Sequence, residues 1–147
     1  MAYHEPILGN EFSKKVIPLI NSADISINIM IFDWRWYPHK SNYATNAFNN
    51  AILKAKDRGV KIKVLTNGYD TRQALNSHGI IAKSIASSQL LHSKLIIVDE
   101  KHLVIGSHNF TQPAFISNIE ASIMVKDCEC IEDFINFFKN LYANGNR

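Results

Sequence analysis

Long apolar runs are missing from this 147-residue chain. The longest are strand-length stretches such as Leu95 to Val98, far short of the roughly 18 residues a bilayer span needs, so no stable membrane association is expected. The opening MAYHEPILGN carries neither a basic flank nor an apolar core, which argues against a secretory signal. The expected location is the cytoplasm, whether the chain stands alone or was cut from a longer one. Cysteine is scarce too. Cys128 and Cys130 are too close in sequence to staple a fold, and no second pair exists to complete a four-ligand zinc site. Free thiols suit a reducing compartment. Lopsided charge is the third absence: sixteen Lys and Arg against thirteen Asp and Glu leave a net +3, only a mild bias towards anionic partners. No repeat, linker or low-complexity segment interrupts the chain. With 46% apolar and 20% charged residues, disordered, collagen-like and coiled-coil chains are excluded, and one domain over residues 1–147 is expected.

The periodicities alternate between helix and strand. Phe12, Val16, Ile17, Leu19 and Ile20 recur at helical spacing, with Pro18 expected to kink that helix. Ile25, Ile27, Ile29 and Ile31 alternate with Ser26, Asn28, Met30 and Phe32 as in a strand. A second helix fits Asn42 to Arg58, stopped by Gly59. Val60 to Thr66 alternates again, and Thr71 to His78 forms a short helix before an extended stretch from Ile80. Leu95–Val98 and Leu103–Ile105 flank Asp99-Glu100-Lys101 as a hairpin, and Ala121–Val125 is a further strand. Ile131, Phe134, Ile135, Phe138, Leu141 and Tyr142 stripe a last helix. The expected fold class is α/β, with a mixed β-sheet flanked by helices.

The informative stretch runs from His92-Ser-Lys94 through Asp99 to Gly106-Ser107-His108-Asn109. His92 and Lys94 lie two apart on an extended segment, so their side chains share a side. A fixed positive charge beside a proton-exchanging imidazole suits a phosphate-like anion. Gly106 leaves room for close backbone approach to a ligand. Ser107 and Asn109, again two apart, offer a hydroxyl and an amide to the same anion.

These residues resemble the signature of the phospholipase D superfamily, HxK(x)4D(x)6GSxN, with every fixed position met by His92, Lys94, Asp99, Gly106, Ser107 and Asn109. A chance match at six positions has odds on the order of one in a hundred thousand. Asn118-Ile-Glu120 resembles an NxE element of the family's small nucleases, and the family fold is also a mixed sheet between helix layers.

The resemblance implies roles for the catalytic set His92, Lys94, Asn109, Ser107, Glu120 and Asp99. His92 would attack phosphorus to form a covalent phosphohistidine. Lys94 and Asn109 would clamp the non-bridging oxygens, with Ser107 bonding the phosphate or positioning that clamp. Glu120 would hold the second nitrogen of His92 and fix its tautomer. Asp99 would lie behind the site in a structural role. No cofactor and no metal is implied. Family enzymes set two HxK elements around one phosphate, and this chain has one. A two-fold homodimer, as in the small nuclease branch, would supply the second. The single motif points to a nucleic acid substrate, DNA or RNA.

Outside the motif, Asp33-Trp34-Arg35-Trp36-Tyr37-Pro38-His39-Lys40 has no periodicity and is expected to form a surface loop. Trp34, Arg35 and Trp36 either meet bases and phosphates or, for the two indoles, pack into the core or a dimer interface. Lys54, Lys56, Arg58, Lys61 and Lys63 read first as a solvated helix face and second as a binding patch. His108 is expected to point away from Ser107 and Asn109. A metal cluster of His92, Asp99, His102 and His108 is opposed by the ammonium of Lys94. The leading reading is a metal-independent nucleic acid phosphodiesterase. The alternatives are a phospholipid-directed phosphodiesterase or transferase, and a non-catalytic phosphate- or nucleic-acid-binding module of a larger system.

Overall fold

The computed structural model describes residues 3–147, so the first two residues of the N-terminal stretch lie outside it. Seven strands form one sheet: β1 (Tyr3–Leu8), β2 (Ser26–Ile31), β3 (Lys61–Leu65), β4 (Ile81–Lys83), β5 (Lys94–Val98), β6 (His102–Gly106) and β7 (Ala121–Lys126). Their spatial order is β1-β7-β6-β5-β2-β3-β4. Strands β2, β3 and β4 run parallel, linked by helices α2 (Ala44–Asp57) and α3 (Tyr69–Ser77), and the other pairings are antiparallel. The sheet is therefore mixed and helix-flanked, as the alternating periodicities required.

One face packs the β2 residues Ile27, Ile29 and Ile31 with Val64, Ile96, Val98 and Val104 against α1 (Phe12–Asn21) and α2. Helix α1 runs on through Pro18. The other face is covered by α5 (Ile131–Ala143), whose Ile131, Ile135 and Phe138 bury Met30, Leu65, Leu95, Ile97 and Leu103. Alternation along each strand sends successive residues to these two layers.

The β5–β6 turn forms where expected, with Asp99 and Glu100 at positive φ. Asp99 fastens the turn to the start of β2. Its Oδ1 accepts from the backbone N–H of Ile25 at 2.7 Å and of Ser26 at 3.0 Å, and its Oδ2 from Asp24 at 3.0 Å. Burial would push its carboxyl up, but the three N–H bonds outweigh that and hold it below the ordinary 3.8. Asp99 thus occupies the far end of β5 from His92, with its carboxylate engaged by the backbone at the start of β2.

Two elements were not anticipated. Strand β1 closes the sheet against β7, with Ile7 as its buried residue and Pro6 tolerated because this is an edge. Helix α4 (Gln112–Ile116) is a single short turn capped by the Thr111 hydroxyl, which accepts from Ala114 N–H at 3.3 Å. Among the described residues no helix is long and apolar enough to cross a membrane.

Candidate active site

The motif residues converge at one end of the sheet because of strand register. Lys94 begins β5 opposite Ile31, the last residue of β2, while Gly106 ends β6 opposite Ser122 near the start of β7. The loops leaving these strand ends carry His92, Ser107, Asn109 and Glu120. His92 is exposed, and Lys94 reaches its ring with Nζ 3.3 Å from Nδ1 and 3.3 Å from Nε2. The same ammonium donates to the His92 carbonyl at 2.9 Å. The expected same-side pairing is what the backbone delivers.

Phe32, to which the sequence pattern assigned no role in the site, is the platform for both groups. Its ring lies 5.0 Å from the His92 ring and 5.3 Å from Lys94 Nζ. Its N–H also bonds the Ser93 carbonyl at 3.0 Å, tying the end of β2 to the HxK segment. The available signal was its position at the end of the Ile25–Ile31 alternation. Burial depresses the Lys94 ammonium below its ordinary 10.5, and the nearby Glu120 carboxylate partly offsets this.

Asn109 accepts from the Asp33 N–H through Oδ1 at 3.2 Å, which fixes the amide and leaves its Nδ2 as a donor for a bound anion. Ser107 donates to Glu120 Oε1 at 2.6 Å and accepts from Ala121 N–H at 2.9 Å. Glu120 takes a second bond on Oε2 from Asn118 Nδ2 at 3.0 Å. Within one chain the carboxylate is thus engaged by Ser107 and Asn118, where the resemblance implied His92. Strand β6 lies between β5 and β7, so Ser107 at its end meets the carboxylate before His92 can.

The expectation for Gly106 is corrected. A Cβ there would collide with Ser122 and stand 2.5 Å from the Ala121 carbonyl oxygen. The glycine makes room for β7, not for a ligand.

His108 is buried and points away from the site, as expected. Its Nε2 sits 2.8 Å from the Gly9 carbonyl and its Nδ1 2.7 Å from Ser122 Oγ. A carbonyl only accepts, so Nε2 carries a proton and donates it to the Gly9 carbonyl. His102 sits at the other end of β6, and burial lowers its pKa. Among the described residues no three His, Cys, Asp or Glu gather as a metal-holding group.

The 33–40 segment splits between core and surface. Trp34 is 1% exposed and donates through Nε1 to Asn49 Oδ1 at 2.6 Å, so its ring face cannot stack on a base. Trp34 is therefore removed from the substrate-binding set. Trp36 is half-buried, stacked on Trp34 at 5.7 Å and on His78 at 6.0 Å. Arg35 is exposed and pairs with Asp33 at 2.8 Å. With Tyr69 and Asp70 these residues line a cavity of about 290 Å³, joined to the site through Asp33 and Asn109.

Residues 16–142 match the family model described as "Cardiolipin synthase, PLD-like domain". A phospholipase D of Rickettsia bellii is 28% identical over 116 residues, covering 74% of this chain and 58% of that protein. The chain spans less than two thirds of the length of such curated relatives. Two solved structures share the fold along almost the whole chain. Nuc from Salmonella typhimurium, described as a phospholipase D family member, superposes with a TM-score of 0.83 at 24% identity, covering 99% of this chain and 97% of its own. NucT from Helicobacter pylori gives a TM-score of 0.80 at 19% identity, covering 99% of each chain.

Proposed function

The chain belongs to the phospholipase D superfamily, a phosphodiesterase superfamily, and on that premise we propose that it cleaves nucleic acid without a metal, through a phosphohistidine on His92, in a site completed by a second copy. The observation that carries the reading is the pairing of the exposed His92 with Lys94, Nζ standing 3.3 Å from the ring. Among the described histidines, His108 is buried in structural bonds and His102 lies at the opposite end of β6. On this reading His92 is the nucleophile, and two-fold pairing supplies the acid from the same residue of the second copy.

In this mechanism the neutral His92 ring attacks phosphorus, a P–N bond forms, and the leaving P–O bond breaks. The partner copy's histidine gives its proton to the departing oxygen. Water then attacks the phosphohistidine, loses a proton to that same histidine, and releases the phosphate monoester with His92 restored. Lys94 and the Asn109 amide balance the charge building on the non-bridging oxygens. Ser107, held by Glu120, sets the rim of this cradle.

The surface beside the site favours a second copy. Ile119, next to Glu120, is fully exposed, and Leu8, Leu90 and Ile116 are exposed as well. Such apolar side chains fit a self-complementary interface. A phospholipid substrate is the second reading, favoured by the names of the family model and of the Rickettsia relative.

The test is incubation with labelled single-stranded DNA, RNA and cardiolipin vesicles, each with and without EDTA. Cleavage of a nucleic acid strand, unchanged by EDTA, is expected. Turnover of cardiolipin alone would overturn the substrate, and EDTA sensitivity restored by divalent ions would overturn the mechanism.

A further inference from the structure

A second basic feature lies away from His92, at the β3–β4 edge of the sheet. Alternation along β3 buries Ile62 and Val64 and turns Lys61 and Lys63 outward together. Lys56 from α2 and Lys83 from β4 approach the same place, around Tyr142 on the last turn of α5. Lys83 Nζ stands 4.2 Å and Lys63 Nζ 5.5 Å from the centre of the Tyr142 ring. The ring is held in place by its hydroxyl, which donates to the Ile81 carbonyl at 3.1 Å. Two adjoining cavities of about 310 and 340 Å³ share Lys63 and Tyr142, so they form one groove crossing the aromatic ring.

Lys139, which lines the second cavity, pairs with Glu100 at 3.3 Å, but among the described residues the lysines around the first cavity have no such partner. Among the described residues, no ion pair joins Lys56, Lys61, Lys63 or Lys83 to a carboxylate; the ion pairs there belong to Lys15, Arg35 and Lys139. The acids of α5 nearest its start, Glu132 and Asp133, are about 14 Å from Tyr142 along the helix at 1.5 Å per residue. Lys83 has a structural duty, since its Nζ donates to the Tyr142 carbonyl at 3.0 Å and caps α5. Lys61 and Lys63 are exposed, and no such bond holds them. A chain of only +3 net charge that concentrates unpaired lysines around one aromatic ring has built a local positive field that attracts anions.

We propose that this Lys56–Lys61–Lys63–Tyr142 groove is a second contact surface for a single-stranded nucleic acid, gripping backbone phosphates outside the scissile one. The inference rests on the nucleic acid reading of His92 and adds a surface to it. The occupant follows from charge complementarity: lysines meet phosphates, while the Tyr142 ring, stacked on Phe138 at 5.5 Å and covered by Lys83, shapes the floor between them. Register places the groove within reach of the same strand. Lys63 pairs with Asn28 and Asn28 with Ile97, so it lies two strand spacings from Ile97, which is three residues along β5 from Lys94. That is about 10 Å across the sheet at 4.8 Å per spacing and about 10 Å along it at 3.3 Å per residue, within the span of a short oligonucleotide.

The experiment compares wild type with Lys61→Ala/Lys63→Ala, and with Lys61→Arg/Lys63→Arg as the charge-keeping control. Affinity for a fluorescent single-stranded 20-mer is measured between 50 and 200 mM salt, alongside turnover of bis(p-nitrophenyl) phosphate and pelleting with phosphatidylglycerol vesicles. The alanine pair should weaken binding several-fold and flatten the log–log salt slope by about 1.4, because each single-strand phosphate left without its lysine takes about 0.7 from the slope. The arginine pair should keep the slope, and turnover of the small diester should match wild type in both. An unchanged slope in the alanine pair, with wild type binding and cleaving the 20-mer, overturns the groove and leaves the His92 reading intact. Loss of vesicle pelleting without loss of 20-mer binding also overturns it, assigning the groove to lipid. A wild type that neither binds nor cleaves the 20-mer overturns both.

Discussion

The Ser107 hydroxyl donates to the Glu120 carboxylate at 2.6 Å, and this bond makes one unit of two residues on neighbouring strand ends. Glu120 also accepts from Asn118, so both of its oxygens are engaged within the chain. Glu120→Gln keeps an acceptor for Ser107, whereas Glu120→Ala releases it. The expected loss in kcat is about ten-fold for glutamine and about a hundred-fold for alanine, near the lower end for removing a group that stabilises an oxyanion. A double variant with Ser107→Ala should be little worse than Glu120→Ala alone, because the two act together. Additive losses would show that Glu120 acts elsewhere, on His92 for example.

Lys94 sets an alkaline limit on activity. Burial is the main cause that lowers its pKa, and Glu120 pulls the other way. As pH rises through that lowered value the ammonium is lost, so kcat/KM should fall at a pH below 10.5. Glu120→Gln removes the offsetting charge and should move the limb lower still. Lys94→Arg should remove the limb, because a guanidinium stays charged there. A pH–rate profile of the three proteins checks the order.

Asp99 should matter for folding and not for turnover. Its carboxylate accepts three backbone N–H bonds and is held below its ordinary 3.8. A depressed carboxylate contributes stability that is fully present above its unfolded value and lost as pH falls through the folded one. Asp99→Ala should cost about 1.5–3 kcal/mol in urea unfolding at pH 7, the worth of hydrogen bonds to a charged group. The cost should shrink below pH 3.8, and activity per folded molecule should stay near wild type. A folded but inactive Asp99→Ala would give it a role in turnover.

Trp34→Phe tests the buried side of the 33–40 segment. The change removes the indole donor and leaves Asn49, itself 2% exposed, short of a partner. A destabilisation of about 1–3 kcal/mol is expected, with KM for an oligonucleotide unchanged. A raised KM at unchanged stability would mean that the indole reaches substrate.

Much of this was legible because it is local. The β-branched run Leu95–Val98, the Asp99 turn and the α5 stripe carry their own periodicity, and the motif spacing fixes which residues share a strand end. Strand β1 was not legible: Pro6 and a single buried residue, Ile7, give no alternation, and only pairing with β7 makes it a strand. Trp34 was undecided because its partner, Asn49, comes from a helix fifteen residues on. The Ser107–Glu120 bond was not legible because sequence does not say that β6 lies between β5 and β7. Phe32 was missed because an aromatic ending a strand alternation looks like core until the His92 ring is seen against it.

The central claim is that His92 attacks in a site two copies share. Its most direct test mixes wild-type and His92→Ala chains in equal amounts, lets them exchange at random, and reads nucleic acid cleavage. An intact His92 facing an alanine can attack but has no acid for the leaving oxygen, so only wild-type pairs should work. Activity should be about a quarter of an all-wild-type sample, the share of such pairs in a randomly assorted two-fold dimer. Activity of one half would contradict the account, because each chain would then carry a complete site of its own.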